Sequence, residues 1–183
     1  MIRYASGILV ILTVLFSSCD SGMNFGGPVY DQAGNLAIDS AKIAEYLQTA
    51  EYDSLYRIHD PSGVVIIVLE EGEQSRPKAG NTVHTNYTGS LLDGTVFDTN
   101  IEAVAKANDI YDEERTYRIS SFPLVQGNQG GPIPGFATGF MRMRSGSKGV
   151  IIIPSPWGYQ NQESERIPAN SVLVFEVDFL GFD

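Results

Sequence analysis

Apolar positions along the chain change period several times, and each period assigns an element before the chemistry of any residue is considered. The first apolar run, Ile8 to Phe16, follows Arg3 and is too short to span a bilayer; with the small residues Ser17 and Ser18 behind it, it reads as an export signal. From Asp20 to about Leu36 no period is present, and Gly22, Gly26, Gly27, Pro28, Gly34 and Asn35 describe a flexible spacer. Ile43, Tyr46, Leu47 and Ala50 then fall at helical spacing behind Asp39, a candidate N-cap. The spacing predicts a short amphipathic helix over about 39–51, packed against the folded domain.

Downstream the period shortens. Val64 to Leu69 is a β-branched run bounded by Pro61-Ser62-Gly63, and in 81–88 Val83, Thr85 and Tyr87 alternate with more polar neighbours, so both segments are strands. Asp93-Gly94 marks a tight turn into Thr95-Val96-Phe97-Asp98. Residues 99–115 are polar, with Ile101, Val104 and Ile110 as anchors for a loop or short helix; Thr116 to Ser120 fits a brief strand, followed by a Gly-rich stretch at 126–131. Phe136, Phe140 and Met143 lie at i, i+4 and i+7, a helical stripe between Gly135 and Gly146. Lys148 to Ile153 is a buried strand ended by Pro154, and from Val172 to Leu180 the residues Leu173, Phe175, Val177 and Phe179 share one face. About five strands against one short helix imply an α+β fold: a curved antiparallel sheet, or half-barrel, wrapped around that helix, with an N-terminal helix and spacer.

Charge and composition narrow the partners. The 183 residues suffice for one domain with appendages, and 12 basic against 22 acidic residues give a net charge of −10, which repels a nucleic-acid backbone. Cys19 is the single cysteine, so neither an intramolecular disulfide nor a Cys-rich metal site is available, and His59 and His84 stand in no metal-ligand spacing. No nucleophile elbow and no phosphate-binding Gly-rich loop occurs; neither a metal nor a cofactor is expected. Leu15-Phe16-Ser17-Ser18-Cys19 resembles a bacterial lipoprotein cleavage box, which makes Cys19 the expected acylation site, an ordinary discarded signal-peptide cysteine being the plainer alternative. The expected organisation is a signal peptide at 1–18, a lipid-anchored spacer at 19–38, a short helix and connection at 39–63, and a folded domain at 64–183. Such a protein is exported and held on the bacterial cell envelope by lipid.

Five blocks carry the remaining signal: Asn86-Tyr87-Thr88-Gly89, Leu92-Asp93-Gly94-Thr95-Val96-Phe97-Asp98, Ile133-Pro134-Gly135-Phe136, Pro154-Ser155-Pro156-Trp157-Gly158-Tyr159, and Ile167-Pro168-Ala169-Asn170-Ser171-Val172-Leu173-Val174-Phe175. In this order, from about residue 64 to the C-terminus, the chain resembles the FKBP-type peptidyl-prolyl cis-trans isomerases. The resemblance implies a proline pocket with Tyr87, Phe97 and Phe175 as aromatic walls, Phe136 as floor, Ile133, Gly158 and Ile167 as further substrate contacts, and Asp98 and Tyr159 as polar groups at the rim. Tyr87, Phe97, Asp98 and Tyr159 are thereby the implied catalytic residues, Ile133 also offering its backbone N–H. Proline-containing polypeptides are the implied substrates and macrolides of the FKBP class possible inhibitors. Two departures stand out: Phe136 occupies a position most familiar as Trp, and Gln160 follows Tyr159 where Gly is common. Phe136, together with the long segment between Asp98 and Thr116 and the insertion around 120–131, motivates the alternative of a non-catalytic, chaperone-like envelope lipoprotein that binds proline peptides.

Overall fold

A computed structural model describes residues 29–125 and 130–183. The export signal, Cys19 and the first part of the expected spacer lie outside the described residues, as do residues 126–129 of the Gly-rich stretch. Seven strands form one antiparallel sheet: β1 (Tyr56–His59), β2 (Val65–Glu70), β3 (Thr82–Leu91), β4 (Val96–Thr99), β5 (Ser120–Pro123), β6 (Lys148–Ile153) and β7 (Leu173–Phe182). Their spatial order is β1-β2-β6-β7-β3-β4, and β5 shares the outer edge of β3 with β4, pairing with Thr82–Thr85 while β4 pairs with Thr88–Ser90. The helices are α1 (Gln32–Thr49), α2 (Glu102–Ala107) and α3 (Pro134–Arg142), with a 3-10 turn at Ser155–Trp157.

Both faces of the sheet are covered. On the concave face Val64, Ile66, Val68, Ile151, Ile153, Leu173, Phe175 and Phe179 pack with Phe136, Phe140 and Met143. On the convex face Val65, Ile67, Val150, Ile152 and Val174 pack with Ile43, Tyr46 and Leu47 of α1. This explains why Val64–Val68 and Val150–Ile153 are continuous apolar runs: a strand buried on both sides has no solvent face to alternate toward. In contrast β7, whose Glu176 is exposed, keeps its alternation. Helix α3 reaches the sheet through Gly135 and Gly139, where an added Cβ would lie 2.2 Å from Ile153 and 2.4 Å from Ile151.

Several boundaries differ from those the sequence suggested. Helix α1 begins at Gln32, seven residues before the expected start, because Asp31 rather than Asp39 is the N-cap: its carboxylate accepts from the Gly34 N–H at 2.9 Å. Gly34 and Asn35, read as spacer residues, sit in that capped first turn, so residues 32–38 are helix. Asp39 is instead in mid-helix and buried. The sequence carries little sign of the edge strand β1, since its four residues alternate with Arg57 and His59 exposed and offer little apolar signal. Residues 116–119 are not strand; pairing begins at Ser120, and Tyr117 instead stacks on Tyr111 at 5.5 Å. Helix α3 ends at Arg142, leaving Met143 as an extended, fully buried C-cap.

Asp60, in the β1–β2 turn, fastens that turn to the end of α3. Its carboxylate accepts from the Ser62 N–H and hydroxyl at 2.9 and 2.7 Å and from Arg142 Nε and Nη2 at 2.8 and 2.6 Å. Burial alone would raise its pKa, but the Ser62 hydrogen bonds and the Arg142 guanidinium reverse that and hold it below the ordinary carboxylate value. A carboxyl depressed in the folded state stabilises it above the unfolded pKa and loses that contribution as pH falls through the folded value. Urea unfolding between about pH 5 and pH 2 should therefore show stability falling with pH. Asp60→Asn should flatten that fall and cost about 1–3 kcal/mol at neutral pH.

Candidate functional site

The concave end of the sheet assembles most of the residues that the sequence singled out. Tyr87 comes from β3, Phe97 and Asp98 from β4, Phe175 from β7, and Phe136 from the first turn of α3. Gly89 pairs with Asp98 on one side and Phe175 on the other. It has to be glycine, because a Cβ there would lie 2.7 Å from the Phe97 ring and 2.8 Å from the Phe175 ring. Those two rings meet edge to face across it, centroids 5.6 Å apart at 86°. Phe136 packs on Phe175 at 4.6 Å, and Tyr87 closes the cluster at 5.8 Å from Phe136 and 6.1 Å from Phe175.

Polar chemistry enters at one edge. The Tyr87 hydroxyl donates to Asp98 Oδ2 at 2.6 Å, and Arg115 Nη1 donates to Asp98 Oδ1 at 2.5 Å. Burial, then the hydrogen bond to Asp98 and its negative charge, push the Tyr87 phenol well above its usual pKa, so it remains a neutral donor throughout the physiological range. The Arg115–Asp98 pair is partly exposed, so it orients the carboxylate more than it stabilises the fold. Arg115 also lies over the Tyr117 ring, 5.4 Å from its centroid. Asn100, buried, holds the corner: it accepts from the Tyr87 N–H at 2.7 Å and donates to Asn86 Oδ1 and to the Arg118 carbonyl at 3.0 and 2.9 Å.

Loops supply the rim. Ile133 is the N-cap of α3, and its carbonyl accepts from Phe136 and Ala137 while its N–H has no partner among the described residues. Ile133 and Ile167 are half-buried against the concave-face core to which the aromatic rings belong. Tyr159 is 40% exposed, and its hydroxyl has no hydrogen-bond partner among the described residues. Burial first, and then the negative charge of Asp98, raise its pKa. Two concavities of about 270 Å³ flank Tyr159. One is lined by Ile133, Gly158, Gln160 and Gln162, the other by Gln162, Glu163, Ser164 and Ile167. Gln160 keeps a left-handed backbone, φ +57°, so the turn survives without the glycine common there. An apolar groove of about 300 Å³, lined by Leu124, Val125, Ala137, Met141 and Trp157, lies along another side of α3 and outside this cluster. Trp157 anchors its loop, its Nε1–H donating to the Ser62 carbonyl at 2.7 Å.

Arg115, Asn100 and Phe122 are not among the residues that the sequence singles out, yet Phe122 packs on Phe136 at 5.5 Å. Only the glycine of Asn86-Tyr87-Thr88-Gly89 carried a signal for the close ring approach; Arg115 had none, since its partner lies 17 residues away across an irregular loop.

A half-wrapped antiparallel sheet holding a short helix, with an aromatic cluster at one end, defines the architecture of a peptidyl-prolyl isomerase of the FKBP type. Residues 73–180 match the FKBP-type peptidyl-prolyl cis-trans isomerase family, and the chain belongs to that family. It is 35% identical over 122 residues to the FKBP-type peptidyl-prolyl cis-trans isomerase FkpA of Aeromonas hydrophila, covering 67% of this chain and 39% of that protein. Against the FkpA of Escherichia coli K12 it is 32% identical over 119 residues, 65% of this chain and 37% of that one. The match thus spans well under half the length of these relatives. The crystal structure of FkpA from Escherichia coli is similar with a TM-score of 0.59 at 26% identity, covering 82% of this chain and 61% of that chain. A peptidyl-prolyl cis-trans isomerase from Pseudomonas syringae pv. tomato shares the fold, with a TM-score of 0.60 at 20% identity over 86% of this chain and 99% of that one.

Gly89 gives a direct check on the packing. Gly89→Val must displace Phe97 or Phe175, so it should cost about 1–3 kcal/mol in chemical unfolding. The near-ultraviolet circular dichroism of the aromatic cluster should change with it, while Gly94→Ala, in the open turn, should leave that signal intact.

Proposed function

We propose that this chain accelerates cis-trans isomerisation of X–Pro bonds in exported polypeptides. The observation that carries the reading is the convergence of Tyr87, Phe97, Phe136 and Phe175 on one end of the sheet, with Asp98 held at its edge by Tyr87 and Arg115. Rotation about the amide is opposed by a barrier of about 18–20 kcal/mol that comes from resonance, and the twisted transition state has lost that resonance and much of its dipole. An apolar aromatic surface replaces water around the proline ring and favours the less dipolar, twisted amide over the planar one. Ile133, through its N–H, and Tyr159, through its hydroxyl, are the donors for the substrate backbone, Gly158 and Ile167 contact the chain beside the proline, and Asp98 is the polar group nearest the amide. Each 1.4 kcal/mol of preferential transition-state binding gives about tenfold, which matters against an uncatalysed step of tens to hundreds of seconds. The same surface suits macrolide ligands of the FKBP class.

The N-terminal residues suggest where this happens. Acylation of Cys19 would tether the domain by lipid, and cleavage before it removes Arg3 and no acidic residue, making the remaining chain more acidic. Because Tyr30 hydrogen-bonds Ser155 and α1 starts at Gln32, a soluble form has to begin no later than Val29. That form, assayed with a proline tetrapeptide, should show catalysed isomerisation, reduced about tenfold or more by Phe97→Ala and less by Tyr87→Phe. A folded protein with a rate equal to the solvent rate, yet binding the peptide, would establish the non-catalytic alternative, which Phe136 at the floor favours. Intact mass of the envelope-extracted protein should show a diacyl or triacyl Cys19.

A further inference from the structure

Outside the family match lies a buried carboxylate that neither the aromatic cluster nor the core requires. Asp39, on the inner side of α1, is 1% exposed. Its Oδ2 accepts from the Ser155 N–H at 2.8 Å and from the Ser155 hydroxyl at 2.5 Å, and its Oδ1 accepts from Lys42 at 3.1 Å. Since the Ser155 hydroxyl donates to Asp39, the Tyr30 hydroxyl, 3.0 Å away, is the donor to Ser155 Oγ. A buried carboxylate is costly unless fully paired, and here three donors pair it, so the chain has built this contact in full.

What Ser155 holds is the rim of the site. Its carbonyl accepts from the N–H of Gly158 and of Gln160, each at 3.0 Å, bracketing Tyr159 between two fixed amides. The Gln160 carbonyl in turn accepts from Asn170 at 2.7 Å. Gln160 sits at φ +57°, a conformation that a non-glycine residue adopts only where its surroundings over-determine it. We infer that Asp39 is a positioning residue: through Ser155 it fixes the Pro154–Gln160 turn and so aims Tyr159 at the bound peptide. The N-terminal helix is then part of the catalytic apparatus as well as a cover for the convex face. This inference rests on the role of Tyr159 in the proposed isomerase.

A double-mutant cycle on the full chain tests it. Asp39→Ala should lower kcat/KM for a proline tetrapeptide about tenfold, and in a Tyr159→Ala background it should change kcat/KM less than about twofold. Lys42→Ala, which leaves both Ser155 bonds in place, should stay within about twofold of wild type. Should Asp39→Ala fold poorly, Ser155→Ala, which keeps the N–H bond to Asp39, should show a smaller loss with the same dependence on Tyr159. Where wild type is active, an equal loss in both backgrounds, or a Tyr159→Ala that leaves kcat/KM unchanged, would overturn the inference. Amide hydrogen exchange separates this from the isomerase reading. In Asp39→Ala the Gly158 and Gln160 amides should lose protection while those of β6 keep theirs, whether or not wild type is active. Unchanged protection at those two amides would refute the positioning role, whereas lost protection in an inactive protein would uphold the restraint on the turn and discard only the isomerase reading.

Discussion

The close approach of α3 to the concave face of the sheet is the constraint on which the rest depends. Gly135 and Gly139 let the helix backbone rest on Ile153 and Ile151, and a methyl group at either would have to displace a buried isoleucine. That approach sets Phe136 against Phe175 at 4.6 Å and Phe140 against Phe179 at 5.0 Å, so the helix faces the core with one ring and the candidate site with the other. Phe136 touches Phe140 edge to face at 5.0 Å, which makes the floor of the candidate site continuous with the core. A floor built this way is rigid because it is packed at interior density, and its geometry is inherited from the fold.

The sheet transmits a second constraint to its other side. Strands β2 and β6 are buried on both faces, and the convex layer exists only because α1 covers it. The helix meets the 3-10 turn that leads to Tyr159, so α1, which precedes the family match, and the edge of the candidate site are one packed unit. At the opposite edge the stretch after α2 does comparable work, since Arg115 reaches back to Asp98 and Asn100 ties β3 to the backbone at Arg118.

Much of this was legible in the sequence. Continuous β-branched runs gave β2 and β6, strict alternation gave β7, and the i, i+4, i+7 stripe gave α3, because each pattern reports burial of a particular geometry. The aromatic residues of the candidate site are singled out by the ordered blocks, and the structure brings Tyr87, Phe97, Phe136 and Phe175 together. What was not legible depends on distant partners. Asp39 looked like a helix cap because its true partner, Ser155, is 116 residues away, and Gly34 looked like spacer because its role as the capped N–H depends on Asp31. Strand β1 is too short and too polar to announce itself and is specified by pairing with β2. Arg115 carries no local signal, because what brings it to the candidate site is the fold that sets it beside Asp98.

The proposed function stands on proline binding at the aromatic end of the sheet. Chemical-shift mapping with a proline-containing peptide tests it most directly, since bound peptide perturbs the amides it covers. The largest shifts should fall on Phe97, Asp98, Ile133, Tyr159 and Ile167, and exchange cross-peaks should connect the peptide's cis and trans forms. Shifts confined to the groove formed by Leu124, Val125, Met141 and Trp157, with the aromatic cluster silent, would contradict it.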